Sequence, residues 1–216
     1  MKKYNLYLAS NSPRRKELLQ WSYLPFQVEV SGIDENSRFT EPHEYVMDLA
    51  FQKAQNVFHK LNLDNAFVIG ADTTVVLDGE IINKPANQDE ARKILKKLSA
   101  KTHTVYTGVS FIFKNEKGTI THNFFDKTYV TFSHINDDLL ELYLNTGESL
   151  DKAGAYGIQG RALGFIEKLD GSYSNVVGFP LDKVIFNLKS ILGYKTDETG
   201  LYRLHFDSPT PTSHRR

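Results

Sequence analysis

Apolar positions along the chain fall into two periods, and the switches between them mark the elements. Tyr4–Ala9 is a short apolar run that reads as a buried strand, and Pro13–Trp21 follows as a helix with Ser12 at its N-cap and Pro13 at its first position. Phe26–Val30 alternates apolar and polar, as a half-buried strand does. Glu41–Leu61 carries a helical stripe, with Thr40 or Glu41 near its start and Pro42 in its first turn. Ala66–Ile69 reads as a compact buried strand that ends at Gly70-Ala71-Asp72-Thr73. Thr74–Leu77 and Glu80–Ile82 flank Asp78-Gly79, a strong hairpin signal. Gln88–Leu98 is a helix with Ile94, Leu95 and Leu98 on one face, and Thr104–Phe113 with Ile120–Phe132 is a long antiparallel pair. Asp137–Leu144 is a helix capped by Asn136, and Leu163–Leu169 is a strand. A Gly-Ser-Tyr-Ser-Asn loop and a helix over Pro180–Leu192 complete the periodic part. Thr196–Arg216 has no period beyond LYRLHF and is expected to be a flexible extension. Alternating strands and helices with a long hairpin predict an α/β fold around a mixed sheet.

Composition narrows the function classes. The 216 residues suffice for one sizeable domain, and 26 basic residues balance 26 acidic ones. A neutral chain argues against a broad footprint for nucleic acid, so any cationic site is local. With no cysteine, disulfides, thiolate zinc sites and thiol catalysis are excluded. No stretch approaches 18 uninterrupted apolar residues and the N-terminus has no long apolar segment, so a cytoplasmic protein with no membrane partner is expected.

Four stretches carry candidate chemistry. In LASNSPRRKELL, Arg14 and Arg15 place two positive charges in a helix's first turn, where the macrodipole is already positive. Either Glu17 offsets them at the surface, or an anion sits there, held by free N–H groups, the Ser10 and Ser12 hydroxyls and the guanidinium forks. Lys53 falls near 340° on a helical wheel with Val46 at zero, inside a stripe where Leu49, Ala50, Val57 and Leu61 lie between about 300° and 60°. It either snorkels at the stripe's edge or points into a cleft toward an anionic partner. Asp72 is a lone carboxylate in AFVIGADTTVVLDG, just after the apolar run. It is a turn residue, a base or a ligand to a divalent cation, and Glu35 in SGIDENS could share such a site. Lys84 in INKP lies just past the hairpin. Finally, DKAGAYGIQG spaces Gly154, Gly157 and Gly160 by three, which reads as a Gly-rich bulged strand or as a frame for Gln159, whose amide could read a base edge. The seven histidines show no ligand spacing, so a metal here would be oxygen-bound Mg²⁺ or Mn²⁺.

Together, LASNSPRRKELL, QKA, GADTTVVLDGEIINKP, DKAGAYGIQG and GSYSNVVGFPL closely resemble the Maf family, nucleoside triphosphate pyrophosphatases once described as septum-formation inhibitors. The resemblance runs from about Leu6 to about Leu192. It implies an elongated α/β fold similar to inosine triphosphate pyrophosphatases, with residues 1–195 as a single catalytic domain whose cleft lies between two lobes. It implies a homodimer and cleavage of a nucleoside triphosphate to monophosphate and pyrophosphate with Mg²⁺ or Mn²⁺, in nucleotide-pool cleansing or division arrest. The family's catalytic aspartate falls on Asp72. Its polar and cationic positions fall on Ser10, Arg14, Arg15, Lys53 and Lys84, and its acidic loop position on Glu35. DKAGAYGIQG and GSYSNVVG are similar to the subgroup acting on dTTP and UTP, in which Arg14, Thr73 and Gln159 match the residues tied to substrate choice. The 7-methyl-GTP subgroup carries a Glu-containing block instead. Two departures stand out: Ser133 replaces the family's arginine after VTF, which implies one cationic contact fewer, and GFPL replaces GLPL. A nucleotide-binding regulator without turnover is the alternative class.

Overall fold

The computed structural model describes residues 4–193, 195–196 and 202–203. Its seven-stranded mixed sheet has the order β2-β1-β3-β5-β6-β7, with β4 paired to β3. The strands are β1 (Asn5–Ala9), β2 (Phe26–Val28), β3 (Ala66–Leu77), β4 (Glu80–Ile82), β5 (Thr102–Asn115), β6 (Gly118–Phe132) and β7 (Ile166–Asp170). The helices are α1 (Pro13–Gln20), α2 (Pro42–Leu61), α3 (Gln88–Leu98), α4 (Asp137–Leu144), α5 (Tyr173–Val177) and α6 (Leu181–Leu192). The predicted mixed α/β sheet is therefore the observed one. Lys195–Thr196 pairs with Tyr202–Arg203 as a separate two-stranded ribbon. The rest of the expected flexible extension lies outside the described residues.

Four local expectations differ from the structure. The apolar run does not end at Gly70: β3 continues through Ala71, Asp72 and Thr73 to Leu77. Glycine, alanine and aspartate are weak strand formers, but unbroken antiparallel pairing with β5 from Phe67↔Phe113 to Val76↔Thr104 overrides that preference. The second is DKAGAYGIQG, which is not a bulged strand: it folds as a 3₁₀ turn over Ala153–Ala155 with further turns around it. The Gly-Ser-Tyr-Ser-Asn loop also becomes helical at its end, where Ser172 caps α5 by accepting from the Asn175 N–H. Last, Leu163–Phe165 is 3₁₀ and the strand begins only at Ile166.

Pairing along the other edge of β3 creates the opening that matters. Parallel β1 covers Ala66–Gly70 and antiparallel β4 covers Val75–Leu77. Among the described residues, none pairs with residues 71–74 on that edge, and the carboxyl ends of both β1 and β4 run toward the gap. Ligand crevices of open α/β sheets form at such strand ends.

Helices cover the two faces of this region. Leu18, Leu19, Val184 and Leu188, from α1 and α6, pack with Phe67, Ile69 and Ala71 on one face. On the other, Ala54 and Val57 of α2 pack with Ala66 and Val68. The approach of α2 depends on two glycines. A Cβ on Gly70 would lie 2.2 Å from the Ala50 carbonyl oxygen and 2.8 Å from the Ala54 nitrogen. One on Gly108, which pairs with Asp72, would lie 2.4 Å from the Val46 carbonyl. Both contacts are with helix backbone, which must shift as a unit. Gly70→Ala is expected to destabilise the protein by about 1–3 kcal/mol in urea unfolding, and an unchanged midpoint would contradict this seating of α2.

Around α3 and α4 a second core contains His103, which is buried among aromatic rings. Its Nε2 is 2.7 Å from the Tyr156 hydroxyl, and its ring meets that of Phe132 edge-on at 4.7 Å. Burial pulls its pKa from 6.5 down to about 4. The unfolded chain therefore binds this proton near 6.5 and the folded chain only near 4. Stability is complete above the upper value and falls as pH drops between the two, by on the order of 3 kcal/mol. Urea titrations at pH 7 and pH 4.5 should show this loss, and His103→Gln should reduce it. An identical pH dependence in the variant would remove His103 as the cause.

Candidate active site

All ten residues singled out from the sequence line one cleft of about 670 Å³ at the gap beside β3. Five cationic side chains line it (Arg14, Arg15, Lys53, Lys84 and Lys152) against three carboxylates (Glu35, Asp72 and Asp151). The positive excess of a neutral chain is thus local.

Its centre is Asp72. Because β3 alternates its side chains, Asp72 shares the face of Gly70, over which α2 lies. Close seating of α2 brings the Lys53 ammonium to 2.6 Å from Asp72 Oδ1 and 3.0 Å from Glu35 Oε1. Lys53 and Asp72 are each 7% exposed, so Lys53 is a lysine aimed into the cleft and not one snorkelling to solvent. Burial drives the Asp72 carboxyl above its ordinary value, against the opposing pull of Lys53 and Arg15. Burial also pushes Glu35 upward, but Lys53, with Lys84 and Arg15, outweighs it and holds that carboxyl below the usual range. Among the described residues, Asp72 Oδ2 receives no hydrogen bond. It is left to face whatever enters the cleft.

The two arginines of the helix start meet different fates. No acidic residue lies in the first turn of α1, so the positive charge is not offset there. Ser12 caps the helix, accepting from the Arg15 N–H at 3.4 Å, and Ser10 Oγ accepts from the Ser12 N–H at 3.2 Å. Arg14 crosses the cleft to Asp151 Oδ2 at 3.2 Å and stays partly open to solvent. Arg15 is spent on the protein: Nε donates to the Gly178 carbonyl at 2.8 Å, Nη2 to Thr73 Oγ1 at 3.1 Å and Nη1 to Ser10 Oγ at 3.4 Å. Burial lowers its pKa, against Asp72 and Glu35, but a guanidinium stays charged. Arg15 is therefore a fixed, half-buried charge with two N–H groups to spare, not a free fork.

Lys84 leaves the end of β4 at the cleft wall, exposed, and Gln159 lines the wall formed by the turns after Asp151. Ser133 is not among the lining residues. Its hydroxyl donates to the Phe165 carbonyl at 3.3 Å. Phe179, of GFPL, is fully buried in the core. Sequence reasoning missed Asp151 as the partner of Arg14, and Tyr45, whose phenol burial raises with help from Asp72 and Glu35. It also missed Thr107 and Asn175, buried behind Thr73. Of these, Asp151 lay in a stretch already marked, DKAGAYGIQG, and Asn175 in another, GSYSNVVGFPL, whereas Tyr45 and Thr107 lay in none.

Among the described residues no group of three or more His, Cys, Asp or Glu could by itself hold a metal ion. No helix is long and apolar enough to cross a membrane.

The dTTP/UTP pyrophosphatase of Bacillus cereus (strain G9842) is 44% identical over 185 residues, covering 85% of this chain and 94% of that protein. The protein of the same name from Bacillus mycoides (strain KBAB4) matches with the same identity and coverage. Among solved structures, the Staphylococcus aureus Ham1 protein superposes with a TM-score of 0.44 at 16% identity, over 59% of this chain and 71% of that one. Residues 5–191 match the family described as Maf-like protein, and the chain belongs to that family.

Proposed function

We propose that the protein hydrolyses dTTP and UTP to the nucleoside monophosphate and pyrophosphate. The observation that carries the reading is the buried Asp72 carboxylate set beside Lys53 in a cleft with a cationic surplus. Relatives 44% identical over most of the chain bear the name dTTP/UTP pyrophosphatase. A triphosphate carries about four negative charges, and phosphoryl transfer is catalysed mainly by positioning and charge stabilisation. Arg14 would leave Asp151 for the polyphosphate, joined by Lys84 and by the unspent N–H groups of Arg15. Lys53 neutralises charge from beneath. Asp72 Oδ2 serves the attack of water on the α-phosphorus in one of two ways. It is the base that takes the water's proton, a task suited to a carboxylate whose proton affinity burial raises, or an anionic ligand to a divalent cation. Pyrophosphate is the leaving group.

The donor set also suits Mg²⁺ or Mn²⁺. Asp72 and Glu35 converge on one cationic point, and Mg²⁺ commonly takes one or two carboxylates, waters and substrate phosphates in place of an all-protein cage. These two carboxylates would hold it, and it would supply charge neutralisation on the phosphates. The test is a panel of nucleoside triphosphates, including dTTP, UTP, CTP, ATP and 7-methyl-GTP, with Mg²⁺ or Mn²⁺ and detection of pyrophosphate. Release from dTTP and UTP is expected. Binding without turnover would instead make the protein a nucleotide-dependent regulator.

A further inference from the structure

The Thr73 hydroxyl is held in one polarity. Thr73 and Thr107 stand opposite each other on β3 and β5, with Oγ1 atoms 3.0 Å apart. A hydroxyl has one proton to give. Thr107 is fully buried, and its Oγ1 gives that proton to the Asn175 carbonyl at 3.0 Å. Asn175 is equally buried and pinned, its Nδ2 donating to the Val105 carbonyl at 3.1 Å and to Thr128 Oγ1 at 2.9 Å. With the Thr107 proton committed, Thr73 is the donor in the pair. The other acceptor in reach of the Thr73 proton is the Gly178 carbonyl at 3.5 Å, also a group of the protein. Arg15 Nη2, which can only donate, takes one lone pair of Thr73 Oγ1. Thr73 also lines the cleft, so it offers a ligand a lone pair and not a proton.

We infer that Thr107 is a positioning residue that fixes the Thr73 hydroxyl as an acceptor toward the cleft, so that the site selects substrates bringing a hydrogen-bond donor to that point. The inference rests on the proposed reading of the cleft as a nucleotide site. Phosphate oxygens bring only lone pairs and are disfavoured there. In a uridine or thymidine nucleotide the donors are the imide N3–H of the base and the hydroxyls of the sugar, whereas cytosine has no N–H at N3. The GSYSNVVG stretch thereby gains a role: the carbonyls of Asn175 and Gly178 set the direction of the Thr107 and Thr73 hydroxyl protons.

The test compares kcat and KM for wild type, Thr107→Ser and Thr107→Val on dTTP, N3-methyl-dTTP and 2′,3′-dideoxy-TTP. Thr107→Ser keeps the hydroxyl and should stay within about threefold of wild type. Thr107→Val should lose roughly tenfold in kcat/KM on dTTP, mainly through KM, as expected for one misdirected hydrogen bond. It should lose nothing further on the analogue that lacks the donor Thr73 accepts. Insensitivity with the N3-methyl analogue assigns the imide, and insensitivity with the dideoxy analogue assigns the sugar hydroxyl. An equal loss on all three nucleotides, or no loss on dTTP, overturns the role of Thr107 while leaving the activity in place. A wild-type protein inert toward dTTP brings down the activity itself, which is a different result. Neutron diffraction from wild-type crystals reads the same point without a variant: the Thr73 deuteron is expected toward Thr107 or Gly178, and a deuteron pointing into the cleft overturns the inference.

Discussion

Asp72→Asn should cut pyrophosphate release from dTTP by about 10²–10⁴-fold while the protein stays folded. The amide has nearly the volume of the carboxyl and can still accept from Lys53 at the Oδ1 position, where the bond measures 2.6 Å. Lys53 also keeps an ionic partner in Glu35 at 3.0 Å. What the amide cannot do is take a proton or serve as an anionic ligand. Circular dichroism and a urea midpoint close to wild type should therefore accompany the loss of turnover. Near wild-type turnover in Asp72→Asn would remove Asp72 from the mechanism.

The second large effect is expected from Lys53→Met, and it acts on stability and activity together. Asp72 would stay buried on β3 without the ammonium that stabilises its charged form. Breaking one partner out of a buried pair costs about 3–5 kcal/mol, because an uncompensated charge remains. Removing Lys53 also removes the main opposition to burial, so the Asp72 pKa rises further. A base with a higher pKa is ionised only at higher pH, so the acid limb of the kcat/KM profile should move upward. The double variant Lys53→Met/Asp72→Asn should recover part of the lost stability, since no buried charge is then orphaned. A double variant as unstable as the sum of both single ones would mean the two side chains are not coupled.

These effects follow from residues the sequence marked for chemistry but could place only in part. Lys53 was readable because helical phase alone sets it inside an apolar stripe, where a charge needs a partner. Asp72 was readable as an expensive carboxylate in an apolar run. Its setting was not, because Gly70-Ala71-Asp72 reads as a strand ending and only the pairing with β5 extends the strand through it. The first-turn arginines read either as surface charges or as an anion site, and nothing local separates Arg14 from Arg15. Their difference is made by Asp151 and Gly178, 137 and 163 residues away in sequence. Thr107 was invisible for the same reason: an ordinary threonine in a β-rich run becomes informative only when its register partner is known to be Thr73, and only then does Asn175, inside the marked GSYSNVVG stretch, gain a task. Gly70 and Gly108 are the clearest case of long-range meaning, since each is required by the backbone of a helix that packs across the sheet.

The central claim is that the cleft directs water to the α-phosphorus of a bound nucleotide. Hydrolysis of dTTP in ¹⁸O-enriched water, read by ³¹P NMR and mass spectrometry, tests it most directly. The expected result is dTMP carrying one ¹⁸O together with unlabelled pyrophosphate. Label in pyrophosphate, or formation of dTDP and orthophosphate, would contradict it.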